Sequence, residues 1–265
     1  LEPEDTALLC FPASYIAGKM MLVRAMVLGL HLICIDPTIS SISKIDKKYD
    51  FTAMVPLQVD SVLAKLNLFK KIIIGGAPIS DSLRERIAKE SVAAYETYGM
   101  TETITHIAVR RTSNADSGAF KTLPNVHLSL DERNCLVIDA PLIAKHKVVT
   151  NDVVELLSET EFKWQGRYDA VINSGGIKLH PEQLEKKFSK HIDVPFFVAG
   201  LPDDSLGEKL LLLLEAKSNT KIIKESLCND SDIDRYEIPK QIICLESFVY
   251  TPNGKIQRTK TLENL

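Results

Sequence analysis

Short apolar runs that end at a turn alternate with helical segments over the first hundred residues, and this alternation constrains the fold more than any other feature. The runs at 31–36, 70–78 and 92–99 (HLICID, KKIIIGGAP and VAAYETYG) have the character of strands and end at aspartate or a glycine turn. The stretches at 13–29 and 82–90 instead space their apolar residues as helices do. Strand–helix alternation of this kind predicts a parallel α/β sheet.

The most apolar stretch of the chain, residues 15–36, does not have the composition of a membrane span. It contains Lys19 and Arg24, and each cation would cost roughly 2.5–3.5 kcal/mol inside a bilayer. We interpret the stretch as a buried helix that ends at Gly29 and is followed by a buried strand. The chain begins with an acidic EPED segment after residue 1, so neither a signal peptide nor stable membrane insertion is expected.

Composition narrows the class of protein further. The chain has 265 residues, a net charge of −3 and 45% hydrophobic residues, which is typical of a globular protein that buries a core. The negative net charge gives no general electrostatic footprint for nucleic acid, so we expect no nucleic-acid partner. Five cysteines without C-x-x-C spacing argue against a disulfide framework or a zinc site. They favour a reducing compartment, and we expect a cytoplasmic protein.

The pattern changes near residue 120. The stretch at 125–140 (NVHLSLDERNCLVIDA) indicates a hairpin, and short strands continue to about residue 170. Pro181 then begins a helix, and apolar strands and a further helix follow. We therefore predict two domains, residues 1–168 as part of a large α/β domain with a β-rich section, and residues 169–265 as a small α+β domain.

The stretch YETYGMTET at 95–103 is the first candidate for chemistry. Gly99 permits a sharp turn or a close approach by a ligand, and Tyr98 offers a flat face to a base. Thr101 can donate its hydroxyl to a phosphate, and Glu102 can hold a hard cation such as Mg²⁺. Taken by spacing alone, a capped strand–helix junction with a surface glutamate is the simpler interpretation.

Paired glycines give a second candidate. Gly75 and Gly76 follow an apolar strand, where they would let the backbone approach a planar or phosphate-bearing group. The stretch is not G-x-G-x-x-G, so the dinucleotide fingerprint is absent. A plain tight turn explains the pair equally well.

Two charged residues in the β-rich section could contact a nucleotide. Asp152 lies between apolar strand segments, and a carboxylate there could accept hydrogen bonds from ribose hydroxyls. Its alternative is an ordinary β-turn aspartate. Arg167 could contact a phosphate or ribose through its guanidinium.

The region from the predicted boundary to the C-terminus adds further candidates. Asp169 lies where a hinge between the domains would be, and Gly175 and Gly176 form a tight turn before the helix that starts at Pro181. Lys255 follows Pro-Asn-Gly close to the end of the chain. A lysine in that setting is usually a solvated hairpin residue, whereas a mobile domain could deliver it to a reacting phosphate.

Four motifs follow one another in order: Y-x-x-Y-G-M-T-E at 95–102, T-x-D at 150–152, G-R-x-D-x-x-I-x-x-G-G-x-x-x-x-P-x-x-x-E at 166–185, and P-N-G-K at 252–255. Together they resemble the adenylate-forming superfamily of acyl-CoA synthetases, luciferases and peptide-synthetase adenylation domains. The resemblance covers nearly the whole chain from about residue 12. It is far more specific than any one of the motifs, because the order of all four is kept.

The resemblance implies an enzyme that joins a carboxylic acid to coenzyme A with ATP and Mg²⁺, through an acyl-adenylate. The small domain would rotate between the two half-reactions. Carried over by position, the resemblance implies roles in the first half-reaction for Glu102 as Mg²⁺ ligand, Thr101 as phosphate contact and Lys255 as the adenylation lysine. It implies nucleotide contacts by Tyr98 and the turn of Gly75 and Gly76 at adenine, Asp152 at the ribose, and Gly99 and Arg167 as further cofactor contacts. It also implies Asp169 as the hinge, with Gly175 and Gly176 along the pantetheine route.

Within that superfamily, the segment before Gly29 looks most like the o-succinylbenzoate–CoA ligase family of menaquinone biosynthesis. Tyr15, Gly18 and Arg24 match its signature, with Tyr15 where that family usually has histidine. A dicarboxylate substrate would explain Lys19 and Arg24, because one carboxylate reacts and the other needs a cation. The alternative is that both cations extend to the surface of an amphipathic helix.

The Ser/Thr/Gly-rich phosphate loop that such enzymes carry upstream is absent from the 265 residues. We therefore expect an N-terminally truncated piece of a longer enzyme or a degenerate member. The alternative functions are a ligase for another aryl or fatty acid, or a non-catalytic protein that binds a nucleotide or acyl-CoA. The expected partners are a small carboxylic acid, ATP and coenzyme A, with homodimer formation left open.

Overall fold

The computed structural model describes residues 1–112, 118–216, 219–251 and 256–265. The chain divides into two compact units. The first comprises residues 1–131, 137–150 and 156–163, and the second comprises residues 132–136, 151–155 and 164–265. The predicted domain boundary between residues 168 and 169 stays a prediction.

Strands dominate the described residues. Their bounds are β1 (Thr6–Leu9), β2 (His31–Cys34), β3 (Tyr49–Met54), β4 (Phe69–Ile74), β5 (Ala93–Gly99), β6 (His106–Arg111), β7 (Phe120–Thr122), β8 (His127–Leu130), β9 (Cys135–Asp139), β10 (Val148–Ser158), β11 (Glu161–Arg167), β12 (Ile172–Ser174), β13 (Ile177–Leu179), β14 (Phe196–Asp203), β15 (Gly207–Glu215) and β16 (Gln241–Leu245). The α-helices are α1 (Ile16–Leu28), α2 (Ile39–Ile42), α3 (Pro56–Ser61), α4 (Asp81–Ala88), α5 (Pro181–Phe188), α6 (Thr220–Asn229) and α7 (Arg258–Leu262).

The large sheet confirms the predicted α/β class. Its strand order is β2-β1-β3-β4-β5-β6-β7-β11-β10-β9-β8. The pairs from β2 to β5 are parallel, and β6 turns antiparallel against β5. Parallel strands need crossover connections, and helices supply several of them here. The predicted change to a β-rich section after residue 120 is also found, because β7 and β11 pair antiparallel.

Both faces of the parallel part are covered by apolar side chains. Leu8 of β1 belongs to a core that includes Val59 of α3 and Leu83 of α4. Its neighbour Leu9 belongs to a separate core with Met21 of α1. Successive strand residues point to opposite faces, so the sheet has α1 on one face and α2 to α4 on the other.

The prediction that residues 15–36 form a buried helix and a buried strand is wrong in its burial. Helix α1 does end at Gly29, which adopts a left-handed conformation with φ 65°. However, Met26 and Val27 are 75% and 76% exposed, since only one side of α1 packs on the sheet. Strand β2 stands at the end of the strand order, and both His31 and Cys34 are exposed. Of the helices in the described ranges, none is long and apolar enough to cross a membrane.

The second unit contains a smaller sheet. Its strand order is β13-β12-β15-β14, and β16 pairs in parallel with β15. Leu212 of β15 packs with Phe188 of α5 and Leu227 of α6. The adjacent Leu213 packs on the other face with Phe197 and Phe248. The strand is therefore buried on both faces, as its continuous run of leucines requires.

Candidate functional site

The ends of β4 and β5 carry the first group of candidate residues. Because these strands are parallel, their carboxyl ends lie at the same edge of the sheet, where α/β proteins usually bind ligands. Gly75 donates its N–H to the Met54 carbonyl oxygen at 3.1 Å. A Cβ on Gly75 would lie 2.3 Å from the Thr97 hydroxyl oxygen, so a larger residue there would force the Thr97 side chain to move. Gly76 has φ 83° and forms the turn.

Gly99 lets the chain fold back on itself after β5. A Cβ there would lie 2.4 Å from the Thr105 carbonyl oxygen and 2.5 Å from the Cα of His106, so any larger residue would displace backbone. A short 3₁₀ turn, Thr101–Thr103, follows directly. The Thr103 hydroxyl accepts a hydrogen bond from the Met100 N–H at 3.1 Å and so fixes this turn.

Thr101 and Glu102 are both exposed on that turn. Mg²⁺ is commonly bound through one or two carboxylates together with the phosphates of its substrate. The oxygen donors of Glu102 suit that cation, because Mg²⁺ prefers carboxylates and water. The arrangement also satisfies the simpler interpretation of a surface glutamate at a strand end, so the role of Glu102 stays a prediction.

Tyr98 belongs to an aromatic cluster. Its ring centroid lies 5.0 Å from that of Phe162 in an edge-on contact and 5.8 Å from that of Phe120. Phe120 and Phe162 are buried and stack on each other. Tyr98 itself is half-buried. Its ring is therefore held in a fixed orientation by two core side chains, as a platform for a base would need to be.

The candidate substrate residues on α1 separate into two kinds. Tyr15 and Lys19 are exposed. For Lys19 this agrees with the alternative that the cation extends to the surface of the helix. Arg24 is half-buried, and its Nη2 donates to the Thr105 hydroxyl at 3.3 Å and lies 3.4 Å from His106 Nδ1. The structure thus brings Arg24, but not Lys19, to the segment just after the Glu102 turn.

His106 lies beside Arg24, and the sequence did not single it out as a candidate site residue. Burial, assisted by the Arg24 guanidinium, lowers the pKa of His106 to about 4, so its ring is neutral at pH 7 and Nδ1 can accept. Burial also lowers the pKa of Arg24 from its usual value, although a guanidinium stays charged. Arg24 is the charged member of this group, and no spacing rule links it to His106, 82 residues later.

In the second unit, Asp152 is buried in the middle of β10. The alternative of a β-turn aspartate is therefore wrong. Its Oδ1 accepts a hydrogen bond from Trp164 Nε1 at 3.1 Å and lies 3.9 Å from Arg167 Nη1. The sequence did not indicate Trp164 as a partner of Asp152, because their contact depends on the pairing of β10 with β11.

Arg167 forms a two-point ion pair with Asp169. Its Nε and Nη2 donate to the two carboxylate oxygens at 3.0 and 2.9 Å. This hydrogen bonding holds the pKa of Asp169 below its usual value. Arg133, which the sequence did not indicate, donates to Asn151 at 2.8 Å and lies over the Tyr168 ring at 5.3 Å. Side-chain contacts of Arg133 and Arg167 thus hold the region around the predicted hinge.

Gly175 and Gly176 lie between β12 and β13. Their φ values of 60° and 82° are those of a two-residue hairpin turn. Strand β13 follows this turn and leads to α5, which begins at Pro181, so the predicted tight turn before the helix is found. Lys255 and the other residues of the PNGK motif lie outside the described residues.

Comparison with known proteins gives the family. A family model described as AMP-binding enzyme matches residues 1–140, more than half of the chain. A 2-succinylbenzoate–CoA ligase from Staphylococcus epidermidis is 27% identical over 94% of this chain and 59% of its own length. One from Listeria monocytogenes is 24% identical over 99% of this chain and 62% of its own length. The chain spans 46% to 62% of the length of these curated relatives.

Solved structures agree with that assignment. An acyl-CoA synthetase (AMP-forming)/AMP-acid ligase II-like protein from Dyadobacter fermentans is 34% identical over all of this chain and 79% of its own, with a TM-score of 0.61. The o-succinylbenzoate CoA synthetase from Bacillus subtilis, in complex with its acyl-adenylate intermediate, has a TM-score of 0.83 at 19% identity. It covers 98% of this chain and 61% of its own, and at that identity it supports the fold alone. The chain belongs to the AMP-binding enzyme family.

Proposed function

We propose that the protein is an ATP-dependent acid–CoA ligase that forms an acyl-adenylate and then a thioester. The observation that carries the proposal is the exposed turn with Thr101 and Glu102, which follows β5 beside the glycine turn that follows β4. The edge of a parallel sheet at the carboxyl ends of its strands is a usual ligand site, and a hydroxyl and a carboxylate there suit a nucleoside triphosphate and its cation. Family membership supports the same conclusion.

In the first half-reaction, a carboxylate oxygen of the acid attacks the α-phosphorus of ATP. The bond from that phosphorus to the bridging oxygen breaks, and pyrophosphate leaves with the electron pair. Lys255 would stabilise the additional negative charge of the pentavalent phosphorus, and Thr101 would donate to a phosphate oxygen. Mg²⁺, held by Glu102 and phosphate oxygens, would neutralise charge on the leaving group.

In the second half-reaction, the thiol of coenzyme A attacks the acyl carbon. The bond to the adenylate oxygen breaks, AMP leaves with the electron pair, and the thiol proton passes to solvent. We assign the turn of Gly175 and Gly176 to the thiol route, and Asp169 to the hinge of a mobile domain that begins at residue 169.

We assign the nucleoside to two groups of residues, each within its own unit. Tyr98, with the turns at Gly75, Gly76 and Gly99, would contact adenine. Asp152 would accept hydrogen bonds from ribose hydroxyls, with Arg167 as a further contact. The hydrogen bond from Trp164 fixes the orientation of the Asp152 carboxylate and so prepares it for that role.

For the acid we propose o-succinylbenzoate, which would place the protein in menaquinone biosynthesis. Two observations support a dicarboxylate. The curated relatives named above are 2-succinylbenzoate–CoA ligases. In addition, Arg24 is a half-buried cation beside the neutral His106, with Thr105 as its hydroxyl acceptor. Tyr15 and Lys19 are assigned to the outer part of the same acid site.

A panel of acids tests this assignment through acid-dependent ATP–pyrophosphate exchange. We expect exchange with o-succinylbenzoate. Arg24→Gln should raise the KM for o-succinylbenzoate by about 10- to 100-fold and leave the KM for benzoate nearly unchanged, since a hydrogen bond to a charged group contributes about 1.5–3 kcal/mol. Arg86→Gln, at an exposed arginine paired with Asp60, is the matched control and should change neither KM.

Two outcomes would favour the alternatives. Preference for benzoate or a fatty acid, with equal effects of Arg24→Gln on all acids, would indicate a ligase for another acid. Nucleotide binding without exchange for any acid would indicate a non-catalytic binding protein.

A further inference from the structure

A histidine in the second unit is hydrogen-bonded through both of its ring nitrogens. His191 follows α5, and its Nδ1 lies 2.7 Å from the Ser226 hydroxyl oxygen. Its Nε2 lies 2.6 Å from Asp230 Oδ2. Ser226 belongs to α6, and Asp230 follows it by four residues at the end of that helix, so both side chains lie on the same helix face. A hydroxyl, an imidazole and a carboxylate are thus joined in one row of hydrogen bonds.

The Asp230 carboxylate fixes which ring nitrogen of His191 carries the proton. Its Oδ1 accepts from the Asp232 N–H at 2.9 Å, which leaves Oδ2 for the ring. This backbone hydrogen bond and the one with His191 hold the pKa of Asp230 below its usual value. The carboxylate is therefore ionised at neutral pH and can only accept.

A neutral His191 ring then has one possible arrangement. Nε2 donates to Asp230, and Nδ1 keeps a lone pair that accepts from the Ser226 hydroxyl. Hydroxyl, imidazole and carboxylate follow one another as they do in serine proteases, with the roles of the two ring nitrogens exchanged. In this tautomer, a histidine can take the proton of a serine that attacks an acyl group.

An open cavity of about 300 Å³ lies beside the histidine. The residues that line it with His191 are Ile192, Asp193, Val194, Asn219, Ile222 and Ile223. Ile222 and Ile223 precede Ser226 by four and three residues on α6, so they lie on the same helix face as the serine. The volume is at the lower end of the range for small-molecule sites. A short apolar chain in this cavity would lie next to the serine and histidine.

We propose that Ser226, His191 and Asp230 form a second reactive site, in which the serine accepts the acyl group of a short-chain carboxylic ester. Ser226 is the nucleophile and His191 the general base. Asp230 is a positioning residue, because it acts through the histidine. The reaction uses no ATP, so the proposal does not depend on the adenylation chemistry proposed above.

In the first step, the Ser226 oxygen attacks the carbonyl carbon of the ester, and the serine proton passes to His191 Nδ1. The bond from the carbonyl carbon to the ester oxygen then breaks. The leaving oxygen keeps the electron pair and receives the proton from His191, which gives an alcohol and an acyl-serine. Water, deprotonated by the same nitrogen, attacks the acyl-serine and releases the acid.

Asn219 adds a donor to the same cavity. Its Oδ1 accepts from the Lys221 N–H at 3.1 Å as the N-cap of α6, and its amide nitrogen carries two donor hydrogens. Amide donors of this type stabilise the oxyanion that forms during acyl transfer. We assign Asn219 to that role. Asn219→Asp tests it, because aspartate is an equally good N-cap but has no amide donor.

Release of p-nitrophenol from p-nitrophenyl butyrate by the full chain, without ATP, measures the reaction. Ser226→Ala and His191→Gln should each lower kcat by about 10²-fold, since a general base contributes about 10²- to 10⁴-fold. Asp230→Asn should lower kcat by about 10-fold with little change in KM, because an amide can donate to Nε2 and favour the wrong tautomer. Asn219→Asp should lower kcat by about 10²-fold.

The matched control is Ser189→Ala. Ser189 is half-buried in the same unit, but its hydroxyl donates to the Lys186 carbonyl oxygen at 2.8 Å and not to an imidazole. This variant should keep the full rate. A rate in Ser226→Ala equal to that of the wild type, or the same loss in Ser189→Ala, would overturn the inference.

Diisopropyl fluorophosphate gives a readout in the wild type that does not depend on the folding of a variant. An activated serine oxygen displaces fluoride from its phosphorus, and mass spectrometry of a digest should locate the diisopropylphosphoryl group on Ser226. His191→Gln should lose this label, and Ser189→Ala should keep it. An unlabelled Ser226 in the wild type would overturn the inference and leave the cluster as a structural contact between α6 and the segment after α5. Failure of ATP–pyrophosphate exchange would count against the proposed function alone.

Discussion

Replacing Lys255 with alanine should lower acid-dependent ATP–pyrophosphate exchange by about 10²- to 10³-fold, the usual effect of removing one group that stabilises a transition-state charge. An ammonium group is a compact point charge, and in the first half-reaction charge accumulates on the α-phosphate. The KM for ATP should change much less than kcat, because the interaction is made chiefly in the transition state. Steady-state exchange kinetics would measure both.

Lys260→Ala is the matched control, since Lys260 is an exposed lysine on α7 in the same C-terminal segment. It should leave the exchange rate unchanged. Thioester formation from preformed acyl-adenylate should survive in Lys255→Ala as well. Full exchange activity in Lys255→Ala would refute the assignment of the adenylation lysine.

Replacing Glu96 with alanine should destabilise the first unit by about 3 kcal/mol, because removal of one partner from a buried ion pair leaves the other charges uncompensated. The Glu96 side chain is only 5% exposed, and its Oε2 lies 3.1 Å from Arg84 Nη2 and 2.7 Å from Arg110 Nη2. Arg84 also pairs with Asp81, and Arg110 also lies over the Phe120 ring. These remaining contacts place the expected loss at the lower end of the usual range for buried pairs.

Urea unfolding followed by circular dichroism would measure the effect. Glu85→Gln changes an exposed glutamate on α4 and should shift the free energy of unfolding by less than about 0.5 kcal/mol. Glu96→Gln should fall between the two variants, because the amide keeps one acceptor but loses the charge. Equal free energies of unfolding for the three variants would show that the charges of Arg84 and Arg110 do not need Glu96 for compensation.

The local features of the fold could be predicted from the sequence. Helix α1, its end at Gly29 and the parallel strands β4 and β5 follow from apolar spacing and glycine chemistry within a few residues. Burial was not predictable in the same way. Met26 and Val27 are apolar, yet they are exposed, because which side of α1 meets the sheet depends on residues distant in the chain.

In the candidate site, too, local features could be predicted from the sequence, whereas contacts between distant residues could not. Glycines such as Gly99 could be recognised because a turn needs them wherever they are. The partners of charged residues could not be recognised. Trp164 reaches Asp152 only through strand pairing, and His106 reaches Arg24 from a position 82 residues later in the chain. The ion pair of Glu185 and Arg258 joins residues 73 positions apart. Tertiary contacts of this kind carry no local sequence signal.

The most direct test of the proposed chemistry follows an oxygen atom. The protein would be incubated with ATP, coenzyme A and o-succinylbenzoate that carries ¹⁸O in its carboxylates, and the products would be analysed by mass spectrometry. Attack of the carboxylate on the α-phosphorus predicts one ¹⁸O atom in the phosphate of AMP and none in pyrophosphate. Label in inorganic phosphate with release of ADP, or AMP without label, would contradict the acyl-adenylate mechanism.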